Sequence, residues 1–121
     1  MPFRLVWTGE ATAQYNALRE NARASVDSRR GDRKKKATKA EGLFKQVNGC
    51  VQKLLNDPRH PGLKTHKFDS IEHPYDRGQP VFEAYVQNRT PGAYRLFWCY
   101  GPAKGEISER YLNRIFPSAS G

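Results

Sequence analysis

The sequence predicts an α+β domain: an N-terminal strand, a helical hairpin, then a mostly antiparallel sheet of three to four strands. Three observations carry that reading. Residues 81–100, VFEAYVQNRTPGAYRLFWCY, hold two runs rich in β-branched and aromatic residues around the polar break 88–92, the pattern of a β-hairpin with a longer loop. Residues 41–56 repeat Leu43, Phe44, Val47, Cys50, Val51, Leu54 and Leu55 at helical spacing, an apolar stripe that faces a core. The order along the chain is strand, helix, helix and then strands, which lets a pair of helices cover one face of a sheet.

Residues 3–7 form a short apolar run with Arg4 inside it and read as the first strand. Thr8-Gly9-Glu10 offers a helix start with Thr8 as N-cap, and Ala11, Tyr15, Leu18, Ala22 and Val26 continue at spacings of three and four. Residues 28–40 then crowd Arg29, Arg30, Arg33, Lys34, Lys35, Lys36 and Lys39 around Gly31-Asp32 and read as a solvated loop between helices. Asp57-Pro58 closes the second helix. A turn at 59–62 leads into residues 63–68, which read as a short polar strand, and 69–80 read as a loop. After the hairpin and a turn at 101–105, Glu106-Ile107 begins one more strand. Strict alternation then fails. Tyr111, Leu112, Ile115 and Phe116 sit at helical spacing, so 108–121 read as a short helix capped by Ser108 and ended by Pro117, with a fraying tail.

Side chains alternate faces along a strand, so the hairpin's parity is legible. Phe82, Ala84 and Val86 share one face of the first run; Tyr94, Leu96, Trp98 and Tyr100 share one face of the second. This large apolar set should pack on the helices. The other face then carries Arg95 in mid-strand, beside Glu83 and Tyr85. An arginine there needs a partner, water or an anionic ligand.

A chain of 121 residues is sized for a single domain, 1–121, with its own core. Lysine and arginine number 21 against 12 acidic residues, a net charge of +9, which favours a polyanionic partner. No apolar run approaches the roughly 20 residues of a membrane span, so no membrane partner is expected. The start, MPFRLVW, lacks the pattern of a signal peptide, and Cys50 and Cys99 fit free thiols in a reducing cytoplasm. The three histidines and two cysteines lack metal-ligand spacing. There is no Gly-rich phosphate loop and no GxSxG. No metal and no cofactor is implied.

PRHPGLKTHKF after the second helix and AYRLFW in the hairpin, with the order of elements, resemble the RelE/ParE superfamily of bacterial toxins over residues 3 to about 107. The resemblance implies a small basic protein neutralised by a cognate antitoxin. It implies either a RelE-type enzyme that cuts mRNA on the ribosome without a metal, or a ParE-type inhibitor of DNA gyrase. A degenerate member that only binds RNA or antitoxin is the further non-catalytic alternative. The family's YRL-type arginine falls on Arg95. Glu83, Tyr85 and Gln87 stand where RelE-type members often carry basic residues, and ISERYLNRIFPSASG stands in place of the family's closing apolar strand.

Metal-free RNA cleavage uses the 2′-hydroxyl as nucleophile and needs a base, an acid and cations around the phosphorane. Arg95 suits the phosphate, which guanidinium can grip bidentately; a structural pair with Glu83 is the competing role. His66 is the acid/base candidate because histidine titrates near neutrality. Lys64 and Lys67 flank it, which would favour phosphate and lower its pKa; a surface histidine without a task is the competing reading. Arg95, His66 and Lys64 therefore form the candidate catalytic set. Lys67, Tyr85 as a base-stacking ring, Arg89 in the hairpin loop, and Lys34, Lys35 and Lys36 form the candidate RNA-binding set. His60 and His73, next to prolines, read as turn residues.

Overall fold

The computed structural model describes residues 2–32, 34–87 and 93–113. The hairpin turn 88–92 with Arg89, and residues 114–121 with Ile115, Phe116 and Pro117, lie outside the described residues.

Strand β1 (Arg4–Trp7) leads into helix α1 (Gly9–Arg29), where the Thr8 hydroxyl accepts a hydrogen bond from the Ala11 N–H at 3.3 Å. Helix α2 (Lys39–Asn56) opens with a reciprocal capping box between Thr38 and Glu41. Glu41 has a second task. Its carboxylate receives a forked contact from Arg29, Nη2 to Oε1 at 2.5 Å and Nε to Oε2 at 3.0 Å, tying the end of α1 to the start of α2. The hydrogen bond from Arg29 holds the Glu41 carboxyl below its usual range. Arg29 and Lys39 therefore belong to helix ends, and the connection between the helices runs over residues 30–38.

The α2 stripe buries Val47, Cys50, Val51 and Leu54 against Ala84, Leu96, Trp98 and Ile107 of the sheet, with Phe82, Val86 and Tyr94 packed beside them. This is the apolar set that alternation assigns to the helices. Residues 63–68 are mostly not strand. A 3-10 turn (Pro61–Leu63) buries Leu63, Lys64 adopts a left-handed backbone at φ 50°, and only His66–Lys67 pair as strand β2. The strand is shorter than its pattern suggests because the buried leucine sits in the turn, not in the ladder.

Strands β3 (Phe82–Tyr85) and β4 (Arg95–Tyr100) form the expected antiparallel pair. The C-terminal helix is overturned. Glu106–Asn113 is strand β5, and Ser108 is a buried strand residue whose Oγ donates to the Gly101 carbonyl at 2.8 Å. The register against β4 runs Phe97 to Tyr111 and then Trp98 to Glu109, so Arg110 is the extra residue of a β-bulge. One inserted residue shifts the period of two, which is why alternation fails there and the apolar residues fall at helical spacing instead. The sheet has five strands, in the order β1-β5-β4-β3-β2, because β1 joins it by parallel pairing with β5.

The sheet's second face is partly covered. Residues 68–81 cross it, and Phe68, Ile71 and Val81 pack on Phe97 and Cys99. His73 anchors this crossing: Nδ1 accepts from the Tyr75 and Asp76 N–H groups at 3.2 and 3.0 Å, which leaves Nε2 to donate to the Tyr100 carbonyl at 2.8 Å. His73 is thus a buried structural turn residue. Arg95, at the start of β4 on this face, is partly buried. Among the described residues, no helix is long and apolar enough to cross a membrane.

Candidate functional site

Two registers build the cluster on this face. Tyr85 lies opposite Arg95 across β3 and β4, and His66 lies opposite Glu83 across β2 and β3. Alternation then places Glu83, Tyr85, Arg95 and His66 on one side of the sheet. The Arg95 guanidinium carbon sits 3.9 Å from the Tyr85 ring centroid, a cation–π contact, and its Nε lies 3.4 Å from Glu83 Oε2. Its Nη1 donates to the Ala93 carbonyl at 3.1 Å. Among the described residues, no hydrogen bond engages Nη2. Glu83 Oε1 contacts His66 Nε2, while His66 Nδ1 lies 3.3 Å from the Lys64 carbonyl. The His66 ring meets Tyr85 edge-on at 5.7 Å.

The arrangement is a carboxylate set between a guanidinium and an imidazole, on an aromatic floor. The side chains of Glu83 and Arg95 are 14% and 22% exposed, whereas His66, on the edge strand β2, is 48% exposed. An anion approaching from that edge would meet His66 first and Arg95 behind it. The group nearest the His66 ring is the Glu83 carboxylate and not a lysine ammonium, as the flanking residues suggest. Glu83 is the residue that sequence reasoning places only as a partner of Arg95. Its second contact, to His66, depends on the β2 register, which no local pattern announces.

The remaining candidates are dispersed. Lys67 pairs with Phe82, which puts it on the helix side of the sheet, opposite the cluster. Lys64 is exposed and lines a separate cavity with Phe82 and Trp98. Lys34, Lys35 and Lys36 are exposed at the tip of the helical hairpin, where Asp32 accepts from the Lys34 N–H at 3.0 Å and Lys35 Nζ reaches the Ser28 carbonyl at 3.3 Å. Roughly 12 Å of helix separates Thr38 from Gln46, and Gln46 is the residue that contacts Gln87 just past β3, at 3.0 Å. Among the described residues, no group of three or more His, Cys, Asp or Glu side chains is placed to hold a metal ion.

The architecture has counterparts among solved structures. The YoeB dimer from Staphylococcus aureus superposes with a TM-score of 0.55 over 96% of this chain and 100% of that one. A YoeB/ParE toxin from Agrobacterium tumefaciens superposes with a TM-score of 0.58 over 93% and 99%. The chain shares the fold of these two structures. Sequence identity is 11% in both comparisons, so the likeness lies in the fold and not in matched residues. No protein-family model matches the sequence, and no curated protein sequence matches it. Residues 107–113, ISERYLN, belong to β5, a strand that their pattern does not announce.

Proposed function

We propose that this chain is a toxin-like, metal-independent, ribosome-dependent mRNA endonuclease, held inactive by a cognate antitoxin in the cytoplasm. The observation that carries the reading is the juxtaposition of Arg95, Glu83, His66 and Tyr85 on one face of the sheet. The net charge of +9 supports an RNA substrate and an acidic partner chain that orders on binding. In the reaction the 2′-oxygen attacks the adjacent phosphorus, the bond to the 5′-oxygen breaks, and one proton leaves the nucleophile while another reaches the leaving group. Arg95 pairs with the non-bridging oxygens as charge builds on them. His66 moves a proton, and Glu83 fixes the orientation of its ring. Tyr85 offers its ring to a neighbouring base.

The test is product analysis in a translation extract supplied with the purified chain. Cleaved mRNA is expected, with His66→Ala slowing cleavage by roughly 10²–10⁴-fold. The second reading is a non-catalytic binder, a DNA gyrase inhibitor above all. It is favoured by one feature: Glu83 already contacts both Arg95 and His66 in the free protein. Intact mRNA together with blocked supercoiling would select it.

The basic connection supplies a separate prediction. Replacing Lys34, Lys35 and Lys36 with glutamine should flatten the salt dependence of RNA binding, by roughly 0.7 in log–log slope for each phosphate that is no longer neutralised. Their side chains are exposed, so thermal stability should stay unchanged. An unaltered slope would make this loop a solvated linker.

A further inference from the structure

On the helix side of the sheet, across β2 from the Arg95 cluster, lies a second cavity of about 450 Å³, lined by the turn 58–61 and by Lys64, Thr65, Phe82, Trp98 and Tyr100. Its wall is aromatic. The Phe82 and Trp98 ring centroids are 4.8 Å apart and those of Trp98 and Tyr100 5.1 Å, and Tyr100 is 41% exposed. Two polar atoms of the lining residues, Trp98 Nε1 and Thr65 Oγ1, are buried without a hydrogen-bond partner among the described residues. Such groups cost stability unless something satisfies them. The exposed Arg59 and Lys64 add positive charge to the lining. Nothing in the Arg95 cluster uses this cavity, but the chain joins the two directly: Lys64 and Thr65 line the cavity, and His66, the next residue, contacts Glu83.

We propose that this cavity is a nucleotide subsite, which takes an unpaired base of an RNA strand that crosses the short edge strand β2. The base stacks on the exposed Tyr100 ring, as single-stranded bases do on aromatic platforms, with the Phe82 ring standing edge-on beside it. Its phosphate meets Arg59 and Lys64. The occupant is nucleic acid and not an apolar ligand, because aromatic faces, unsatisfied polar atoms and cations converge on one cavity in a chain of net charge +9. An RNA strand held here places a flanking phosphodiester on the His66 and Arg95 side.

This assignment rests on the RNA-directed reading above, but binding alone reads it out, so a chain that never cuts RNA still submits to the test. Adenosine and uridine 5′-monophosphates, and inorganic phosphate as a control, are titrated into the full chain by calorimetry. The nucleotides are expected to bind and phosphate to bind far more weakly. Tyr100→Ala should weaken nucleotide binding by about tenfold, and Tyr100→Phe should retain it, because stacking needs the ring and not the hydroxyl. Matched melting curves for the two Tyr100 variants separate a loss of stacking from a loss of folding. Three results would overturn the proposal: no nucleotide binding, equal affinity for phosphate, or equal affinity in a folded Tyr100→Ala protein. An acidic peptide that occupies the cavity where nucleotides do not would make it a protein-docking site instead.

Discussion

Arg95→Ala is expected to abolish RNA cleavage, a loss of at least about 10²–10³-fold, while the protein stays folded. The guanidinium lies over Tyr85 with its Nε toward Glu83, so it is already oriented before a phosphate arrives. Arg95→Lys should recover little, because a point charge cannot reproduce the planar fork that grips two oxygens. The structural role makes the opposite forecast. If the ion pair with Glu83 is what matters, truncating Arg95 leaves a mostly buried carboxylate with His66 as its one remaining charged partner among the described residues. Stability would then fall, and Glu83→Gln in the same chain would restore it. Melting curves measured beside the cleavage assay distinguish a folded, inactive Arg95→Ala protein from an unfolded one.

The largest expected effect on stability belongs to Glu109. This residue of β5 is fully buried, and neither carboxylate oxygen has a hydrogen-bond partner among the described residues. Its strand neighbours are Trp7 on β1 and Trp98 on β4. Burial pushes its carboxyl up to about 8 from the ordinary value of 4.5. Between those values the folded chain holds a proton that the unfolded chain releases. Stability from this group is complete below pH 4.5 and is lost as pH rises toward 8. Unfolding by urea should therefore show a more stable protein at pH 5 than at pH 8. Glu109→Met should remove most of that slope and stabilise the protein at pH 8 by on the order of 2–4 kcal/mol. A wild-type protein equally stable at both values would refute the buried neutral acid. Two other carboxylates act in the opposite direction. Arg29 holds Glu41 low and Arg4 holds Glu106 low. Their contributions are present above the unfolded value and disappear as pH falls through their lowered folded values, so acid unfolding below pH 4 should persist in the Glu109 variant.

Much of this molecule is legible from local pattern. The α2 stripe, the Thr8 cap, the end of α2 at Asp57 and the hairpin of β3 and β4 follow from periodicities of 3.6 and 2 and from residues with one strong local preference. The cluster is legible in part. Parity alone puts Arg95, Glu83 and Tyr85 on one face, and the structure has them in contact. The closing strand reads as a helix for an identifiable reason: the bulge at Arg110 breaks the two-residue period, and no nearby residue marks it.

By itself the sequence determined the helices, the hairpin, its two faces and the strong positive charge, since each arises from neighbours a few residues apart or from composition. Tertiary structure alone decided the rest. The parallel pairing of β1 with β5 buries Glu109, the two-residue pairing of β2 with β3 brings His66 to Glu83, and the crossing segment 68–81 packs on Phe97 and Cys99. Each of these joins segments far apart in the chain, and their relative register is set by how whole surfaces pack, which no short window of residues encodes.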